Sequence, residues 1–168
     1  MTGVQTCALP IYGITPDLVT LGKPMGNGYP VAAVITRREI ADQLAAQTHV
    51  FSTFGGNPVA AQAALAVLDV IEDERLVENA ARVGARLMGS LGEFAEVRGS
   101  GLLIGVELGS SEEAERVVNQ LRGAGILIGR TGRGGNVLKI RPPLVFADEH
   151  ADVLVEAVSR SLASETQA

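Results

Sequence analysis

Short apolar runs bounded by Pro and Gly open the well-patterned part of the chain. Leu18–Leu21 and Val31–Ile35 are two such runs, and they flank the Gly-rich stretch GKPMGNGYP. Apolar runs of this length between turn-forming residues are typical of buried strands. We therefore predict two buried strands around a Gly-rich loop, followed by a helix over Arg37–Gln47 with Ile40 and Leu44 on one side.

Two longer helices are predicted next. Asn57 followed by Pro58 indicates a helix start, because Asn caps free N–H groups and Pro is favoured at the first helical position. The helix over Pro58–Glu72 is apolar on almost all sides, as expected of an element buried between domains or subunits. A second helix over Glu74–Leu91 is expected to link two bodies. Its predicted apolar stripe comprises Leu76, Val77, Ala80, Val83, Leu87 and Leu91.

From Val97 onward, short strands and helices alternate. Ser110 with Glu113 forms a capping-box signature, which predicts a helix that ends near Gly123. A closing helix is predicted over Asp148–Leu162. The predicted strands are Leu102–Leu108, Ile126–Ile128 and Val137–Arg141. This arrangement indicates a small α+β layer with helices on one face of a short sheet.

These elements predict the domain organisation. Residues 12–73 form a first body, 74–95 the linking helix, 96–163 the α+β domain and 164–168 a tail. Residues 1–11 show neither a helical nor a strand period, and we interpret them as foreign or disordered.

Composition narrows the possible partners. The chain has 168 residues, a formal charge of −5, 4% aromatic residues and no Trp. An acidic surface with few aromatic residues argues against nucleic acid and anionic membranes as partners. The single Cys7 and the lack of a secretory or membrane-spanning run predict a cytoplasmic protein. His49 and His150 lack partners at metal-ligand spacing, so no metal site is predicted, and each is interpreted as a surface or capping residue.

Lys23 is the first candidate for chemistry. It follows a predicted buried strand, and Gly26, Asn27 and Gly28 let the backbone turn tightly beside it. A partly desolvated amine loses its proton more easily and becomes a nucleophile. By composition alone, a solvated lysine in a Gly-rich turn is the commoner alternative.

Two long motifs carry a resemblance to a known family. Pro16–Ile35, PDLVTLGKPMGNGYPVAAVI, resembles the active-site signature of the class III aminotransferases, and Phe51–Glu74, FSTFGGNPVAAQAALAVLDVIEDE, resembles their second signature. The resemblance implies that Lys23 forms the Schiff base with pyridoxal 5′-phosphate (PLP). It also implies that Thr53, in the Ser52–Thr53 turn, binds the PLP phosphate across a dimer interface. Without the resemblance, a plain turn before the Asn57 cap is the simpler interpretation.

A third motif, NVLKIRPPLVF over Asn136–Phe146, resembles the family's substrate-facing segment. A strand here places Leu138 and Ile140 on one face, and Lys139 and Arg141 on the other. Many members carry Arg where Lys139 stands. A lysine keeps the charge but lacks the bidentate fork that matches a carboxylate. Substrate binding by these two cations is one interpretation, and a solvated strand face is the other.

The resemblance implies an α/β fragment of the PLP-dependent transferase fold, namely the end of the large domain plus a small C-terminal α+β domain. It implies a homodimeric enzyme that transfers an amino group from a small-molecule amine or amino acid to a keto acid or aldehyde acceptor. The LKIRPP variant leaves open a phospho-lyase that acts on an amino-alcohol phosphate. A non-catalytic binding or interface module is a third possibility.

The resemblance covers Tyr12–Ala163, which is the later part of the family's length. The family's phosphate loop, its ring-stacking aromatic residue and the aspartate that pairs with the ring nitrogen belong further upstream. Val4–Thr6 echoes the aspartate motif but lacks its acids. Because PLP is a poorer electron sink without that acid, we expect this chain alone to be inactive or nearly so.

Overall fold

The computed structural model describes residue 13 and residues 15–163, and the chain divides into two compact units between Asp73 and Glu74. The predictions for residues 1–11 and 164–168 lie outside the described residues. The elements of the first unit are β1 (Leu18–Leu21), a 3-10 turn (Lys23–Gly26), β2 (Ala33–Thr36), α1 (Arg38–Gln47) and α2 (Pro58–Asp73).

The two predicted strands of the first unit form an antiparallel hairpin. Leu18 pairs with Thr36 and Leu21 with Ala33. The open end of the hairpin is closed by the Thr36 hydroxyl, which donates to the Asp17 carbonyl at 2.8 Å, and by an Arg37–Asp17 ion pair at 2.8 Å. These contacts fix the strand that leads into Lys23.

The prediction that these strands are buried is wrong for the described chain. Leu18 is 53% exposed and Val34 61% exposed. On α2, Ala60 and Ala64 are the residues the structure buries, whereas Val59, Leu65 and Leu68 stay exposed. A two-stranded hairpin and two helices have too little surface to cover one another, so an apolar pattern alone did not fix burial here.

The second unit has a full two-layer architecture. Its sheet order is β3-β4-β6-β5, with every neighbouring pair antiparallel. The helices α3, α4 and α5 pack on the side of the sheet that carries Val106, Leu138 and Ile140, all at most 1% exposed. The elements are α3 (Leu76–Leu91), β3 (Glu96–Ser100), β4 (Leu103–Glu107), α4 (Ser111–Gly123), β5 (Gly129–Thr131), β6 (Val137–Ile140) and α5 (Asp148–Ala163).

Helix α3, predicted to link two bodies, contributes to the core of the second unit. Val83, Leu87 and Leu91 are fully buried there. Val77 was placed on the same stripe but is 66% exposed, because it lies about 100° around the helix from Leu76. A Cβ on Gly84 would stand 2.1 Å from the Gly101 carbonyl oxygen, so glycine is what allows α3 to touch the β3–β4 turn.

Two strand predictions need correction. The strand predicted at Ile126–Ile128 instead forms at Gly129–Thr131, because Ile126 and Ile128 pack beside the core and backbone pairing begins only at Gly129. Strand β3 was not predicted, since EVRGS has a single large apolar residue, Val97. The capping box at α4 is confirmed: the Ser110 hydroxyl accepts from the Glu113 N–H at 3.0 Å, and the Glu113 carboxylate accepts from the Gly109 N–H at 2.8 Å.

Candidate functional site

Lys23 is the first residue of the 3-10 turn that follows β1. Its φ of +49° lies in the left-handed region, which is uncommon for a residue with a side chain. The side chain is exposed, and no hydrogen bond or ion pair within the described residues engages its amine. Strained backbone of this kind persists only where the surroundings hold it, and it clusters at functional positions.

The surroundings of Lys23 are held by a compact turn. The Asn27 N–H donates to the Pro24 carbonyl at 2.9 Å, and the Tyr29 N–H donates to the Gly26 carbonyl at 3.0 Å. Gly26 is buried, and a Cβ there would lie 2.6 Å from Val31 Cγ1. The glycine is therefore needed to close the loop that presents the lysine.

The predicted Ser52–Thr53 site is a second tight turn of the same unit. The Ser52 hydroxyl oxygen accepts from the Gly55 N–H at 3.0 Å, and a Cβ on Gly55 would lie 2.8 Å from the Ser52 Cβ. Gly56 has a φ of +69°. Ser52 can still donate its hydroxyl hydrogen, and Thr53 is exposed, so both hydroxyls remain able to bind an anion.

Asn57 joins this turn to α2. Its side-chain oxygen accepts from the Ala60 N–H at 2.9 Å, as predicted for the helix cap, and its amide donates to the Phe54 carbonyl at 2.8 Å. Helix α2 in turn packs against the 3-10 turn that begins with Lys23. One helix therefore supports both candidate cofactor-binding loops.

Lys139 lies in the second unit, on β6. It is half-buried, and its neighbours Leu138 and Ile140 point into the core, as predicted. Its direct cross-strand partners are Gly105 on β4 and Gly129 on β5. The lysine therefore stands between two residues that have no side chain.

A carboxylate on the same side of the sheet, on the strand paired with β6, is already engaged. Glu107 forms an ion pair with Arg98 and accepts a 3.4 Å hydrogen bond from the Asn136 amide. The hydrogen bond from Arg98, its charge and the bond from Asn136 together lower the pKa of Glu107. Lys139 has no ion-pair partner among the residues that the structure describes.

Arg141 occupies a different environment from Lys139. It is exposed and lines a groove of about 400 Å³ together with Ile128, Phe146 and His150. Lys139 is not among the residues that line this groove. Of the two predicted substrate-binding cations, this groove therefore includes Arg141 alone.

Sequence reasoning missed Asn79, which holds the segment after Arg141. Its amide donates to the Leu144 carbonyl at 2.8 Å and to the Phe146 carbonyl at 3.0 Å. Arg82 donates to the Asn79 side-chain oxygen at 3.1 Å. A signal was present in the sequence, because a polar residue three positions after Leu76 stands at the edge of the α3 stripe. Its partners, however, lie more than sixty positions away.

Among the described residues, His150 has a structural role. His150 accepts from the Ala147 N–H at 3.1 Å, which confirms its interpretation as a capping residue of α5. Within the described residues, no group of His, Cys, Asp or Glu is arranged to hold a metal ion. No helix in that part of the chain combines the length and apolar character that crossing a membrane requires.

The two predicted sites use the chain's only two lysines, Lys23 and Lys139, while every other cationic side chain besides the histidines is Arg. Within the described residues, the Lys23 amine has no partner and is a nucleophile that suits an aldehyde. The Ser52 and Thr53 hydroxyls beside the Gly55–Gly56 turn can donate to a phosphate. The residues present in the first unit therefore fit PLP chemically.

Comparison with known proteins identifies the family. The sequence model of class III aminotransferases matches residues 1–162, and the chain belongs to that family. Enzymes of this family use PLP, so membership of a PLP-dependent enzyme family is established for the chain.

Relatives of two activities are similar to the chain. It is 45% identical to alanine–glyoxylate aminotransferase 2 homolog 2 of Arabidopsis thaliana over 90% of its length, and 38% identical to ethanolamine-phosphate phospho-lyase homolog 1 of Caenorhabditis elegans over 89%. A solved phospholyase from Arthrobacter in complex with phosphoethanolamine superposes with a TM-score of 0.90 at 39% identity over 92% of the chain. This likeness confirms the predicted fold. The chain spans 35%, 36% and 40% of the lengths of these three proteins.

Proposed function

We propose that the protein, at the length of its relatives, is a PLP-dependent aminotransferase that moves an amino group from an amine or amino acid to a keto or aldehyde acceptor. The observation that carries the proposal is Lys23, whose amine has no partner among the described residues and whose backbone is left-handed, on a turn held by Gly26. Strain of this kind costs about 1–3 kcal/mol, which a turn with no function has no reason to retain.

Each candidate residue has a defined role in this proposal. Lys23 is the residue that would hold PLP through its aldehyde, and its amine would carry a proton to and from the substrate carbon. PLP, when bound, supplies the electron sink that stabilises a carbanion. Ser52 and Thr53 donate hydroxyl hydrogens to its phosphate. We propose that Thr53 does so for a neighbouring subunit, which makes the protein a homodimer.

A second candidate function is a phospho-lyase of the same family. The support comes from Lys139, which has a glycine on each side and no ion-pair partner within the described residues. A lysine ammonium binds a phosphate as a point charge and needs no bidentate geometry. The similarity to two phospho-lyases is consistent with this alternative.

Covalent labelling tests the role of Lys23. A protein that carries this chain at the length of its relatives is incubated with PLP and reduced with borohydride, and its peptides are analysed by mass spectrometry. We expect the phosphopyridoxyl group on Lys23, unchanged labelling in Lys139→Gln, and loss of the visible absorbance in Lys23→Ala. Since this chain has two lysines, a label on Lys139 in place of Lys23 contradicts the proposal directly.

Product analysis separates the two activities. With O-phosphoethanolamine as substrate, a phospho-lyase releases inorganic phosphate without a keto acid. An aminotransferase consumes a keto acid and leaves the phosphate ester intact. We expect transfer that depends on the keto acid. Phosphate release at a comparable rate without any acceptor would assign the protein to the phospho-lyases.

A further inference from the structure

Arg98 and Lys139 stand in equivalent positions on either side of β4, on the face of the sheet away from the helices. Arg98 is paired with Gly105 across β3 and β4, and Lys139 is paired with Gly105 across β4 and β6. Residues paired directly across antiparallel strands share a face, and so do residues two positions apart on one strand. Glu107 is therefore a diagonal neighbour of both cations. The register allows its carboxylate to pair with either of them.

Glu107 is paired with Arg98 and not with Lys139. Arg98 donates to Glu107 Oε2, and the Asn136 amide donates to Oε1 at 3.4 Å. The hydrogen bond from Arg98 is the largest cause of the lowered pKa of Glu107, so this carboxyl group is ionised at neutral pH. Both of its oxygens are engaged, and Lys139 has no ion-pair partner within the described residues.

The Asn136 amide supports this arrangement from the β6 side. It also donates to the Leu108 carbonyl at 2.9 Å, and Leu108 lies three positions along β4 from Gly105, the partner of Lys139. The amide therefore holds the Glu107 carboxylate towards the end of β4 that is away from the Lys139 pair.

Glu96 makes Arg98 necessary for the arrangement. It is directly opposite Glu107 across β3 and β4, and its carboxylate lies 3.9 Å from Arg98. Like charges directly opposite each other on a sheet are destabilising. Without Arg98, Glu96 repels Glu107 towards β6, where Lys139 is the diagonal cation. Loss of Arg98 should therefore create an ion pair between Glu107 and Lys139.

We infer that Arg98 is a positioning residue for Lys139, because by holding Glu107 it leaves the ammonium free for the anionic group of a substrate. The inference rests on the proposed enzyme for that substrate, and it applies to a carboxylate and a phosphate alike. Arg98 acts through Glu107 and is not assigned a contact with the substrate. In its absence a substrate anion has to displace the Glu107 carboxylate from Lys139, so substrate binding weakens.

Chemical labelling of the full chain tests the competition for Glu107 without PLP. A limiting amount of an amine-acetylating reagent is added, and acetylation of Lys23 and Lys139, the chain's two lysines, is compared by mass spectrometry of peptides. No described residue engages the Lys23 amine, so Lys23 is the internal reference. Arg98→Met should lower the ratio of Lys139 to Lys23 acetylation at least about threefold, because an amine in an ion pair is less available as a nucleophile.

A second substitution separates this role from a structural one. Adding Glu107→Gln to Arg98→Met removes the competing carboxylate and should restore the acetylation ratio to within about 1.5-fold of the native value, whereas a merely structural role predicts no recovery. Arg98→Lys keeps a cation beside Glu107 and should also stay near the native ratio. Arg82→Met, which removes an exposed partner of Asp148, is the matched control and should leave the ratio unchanged. The Arg98 and Glu107 side chains are 53% and 39% exposed, so each variant should fold, which circular dichroism checks.

Kinetics of a protein that carries this chain at the length of its relatives test the effect on substrate binding. The varied substrate is the keto acid or, for a phospho-lyase, O-phosphoethanolamine. Arg98→Met should raise its KM at least about threefold while kcat stays within about twofold, and the double variant should return KM towards the native value.

The inference fails if Arg98→Met leaves the acetylation ratio or the KM unchanged, or if the double variant behaves like Arg98→Met alone. Unchanged acetylation ratios together with phosphopyridoxyl labelling of Lys23 would remove this inference and leave the proposed enzyme standing. The expected acetylation ratios without phosphopyridoxyl labelling of Lys23 would have the opposite meaning.

Discussion

The two units of the chain differ in how much apolar surface they bury by themselves. The second unit encloses a core from α3, α4, α5, β4 and β6, in which Leu87, Leu121 and Leu138 are fully buried. The first unit leaves Phe51 and Phe54 exposed, the latter at 81%, together with much of α2. The candidate covalent lysine lies in the unit with the incomplete core, and Lys139 lies in the unit with the complete core.

This difference shows that an apolar sequence does not by itself determine which residues are buried. The helix α2 is more apolar in sequence than α3, yet α3 has the buried stripe. The sequence of an amphipathic helix predicts which face is buried. A helix that is apolar on all sides needs other elements to pack against several of its faces. We therefore expect substitutions in the two units to have very different effects on the stability of this chain.

The largest contrast is expected from matched leucine truncations. Leu87→Ala on α3 removes a fully buried side chain and should lower the free energy of unfolding by about 2–5 kcal/mol. Leu65→Ala on α2, where the leucine is 49% exposed, should cost less than about 1 kcal/mol. Urea denaturation followed by circular dichroism measures both. Equal losses would mean that the first unit has a core of comparable strength.

A smaller effect is expected from glycine substitutions beside Lys23. Gly26→Ala forces a Cβ to within 2.6 Å of Val31, so the turn must shift and Lys23 with it. PLP affinity of the longer protein, measured by the visible absorbance, should fall roughly tenfold. Gly22→Ala is the matched control, because its Cβ would make an ordinary 3.9 Å contact with Ala32. Equal PLP affinity in the two variants would mean that Gly26 is not needed to position Lys23.

The parts of the fold that depend on interactions between residues close in sequence were predictable. The Ser110 cap of α4 and the Asn57 cap of α2 depend on residues within three positions, and both form as predicted. The predicted position of β5 along the chain was wrong by three residues, because an apolar run such as Ile126–Ile128 looks the same in sequence whether or not its backbone is paired. Local sequence patterns therefore predicted whether a segment is a helix or a strand better than they predicted where its backbone pairs.

The candidate site was predictable to a smaller extent. The Gly-rich turn after Lys23 follows from its sequence, but its left-handed backbone and its exposure do not. The glycines beside Lys139, Gly105 and Gly129, lie on two different strands, and their alignment with the lysine is set by sheet register. Such cross-strand neighbours carry no signal in a single sequence.

The smallest effect is expected from the ion pairs between α3 and α5. Asp148 accepts from Arg82 at 2.6 Å and lies 3.0 Å from Arg86, and the hydrogen bonds from these two arginines lower the pKa of Asp148. A carboxyl group with a lowered folded-state pKa stabilises the fold above its unfolded pKa, and that contribution is lost as pH falls through the folded value. Asp148→Asn should therefore flatten the loss of stability below about pH 4.

Thermal denaturation of the native chain and of Asp148→Asn, measured at several pH values, checks this expectation. The difference in Tm should be largest near pH 7, shrink as the solution is acidified below about pH 4, and decrease in high salt because both partners are exposed. Glu93→Gln, an exposed carboxyl in the same unit, serves as the control and should leave the pH dependence unchanged. If the difference in Tm between the native chain and Asp148→Asn did not change with pH, the ionised carboxyl group of Asp148 would not contribute to stability. The second unit would then be stabilised by its apolar core without this ion pair, and its contrast with the first unit would be larger.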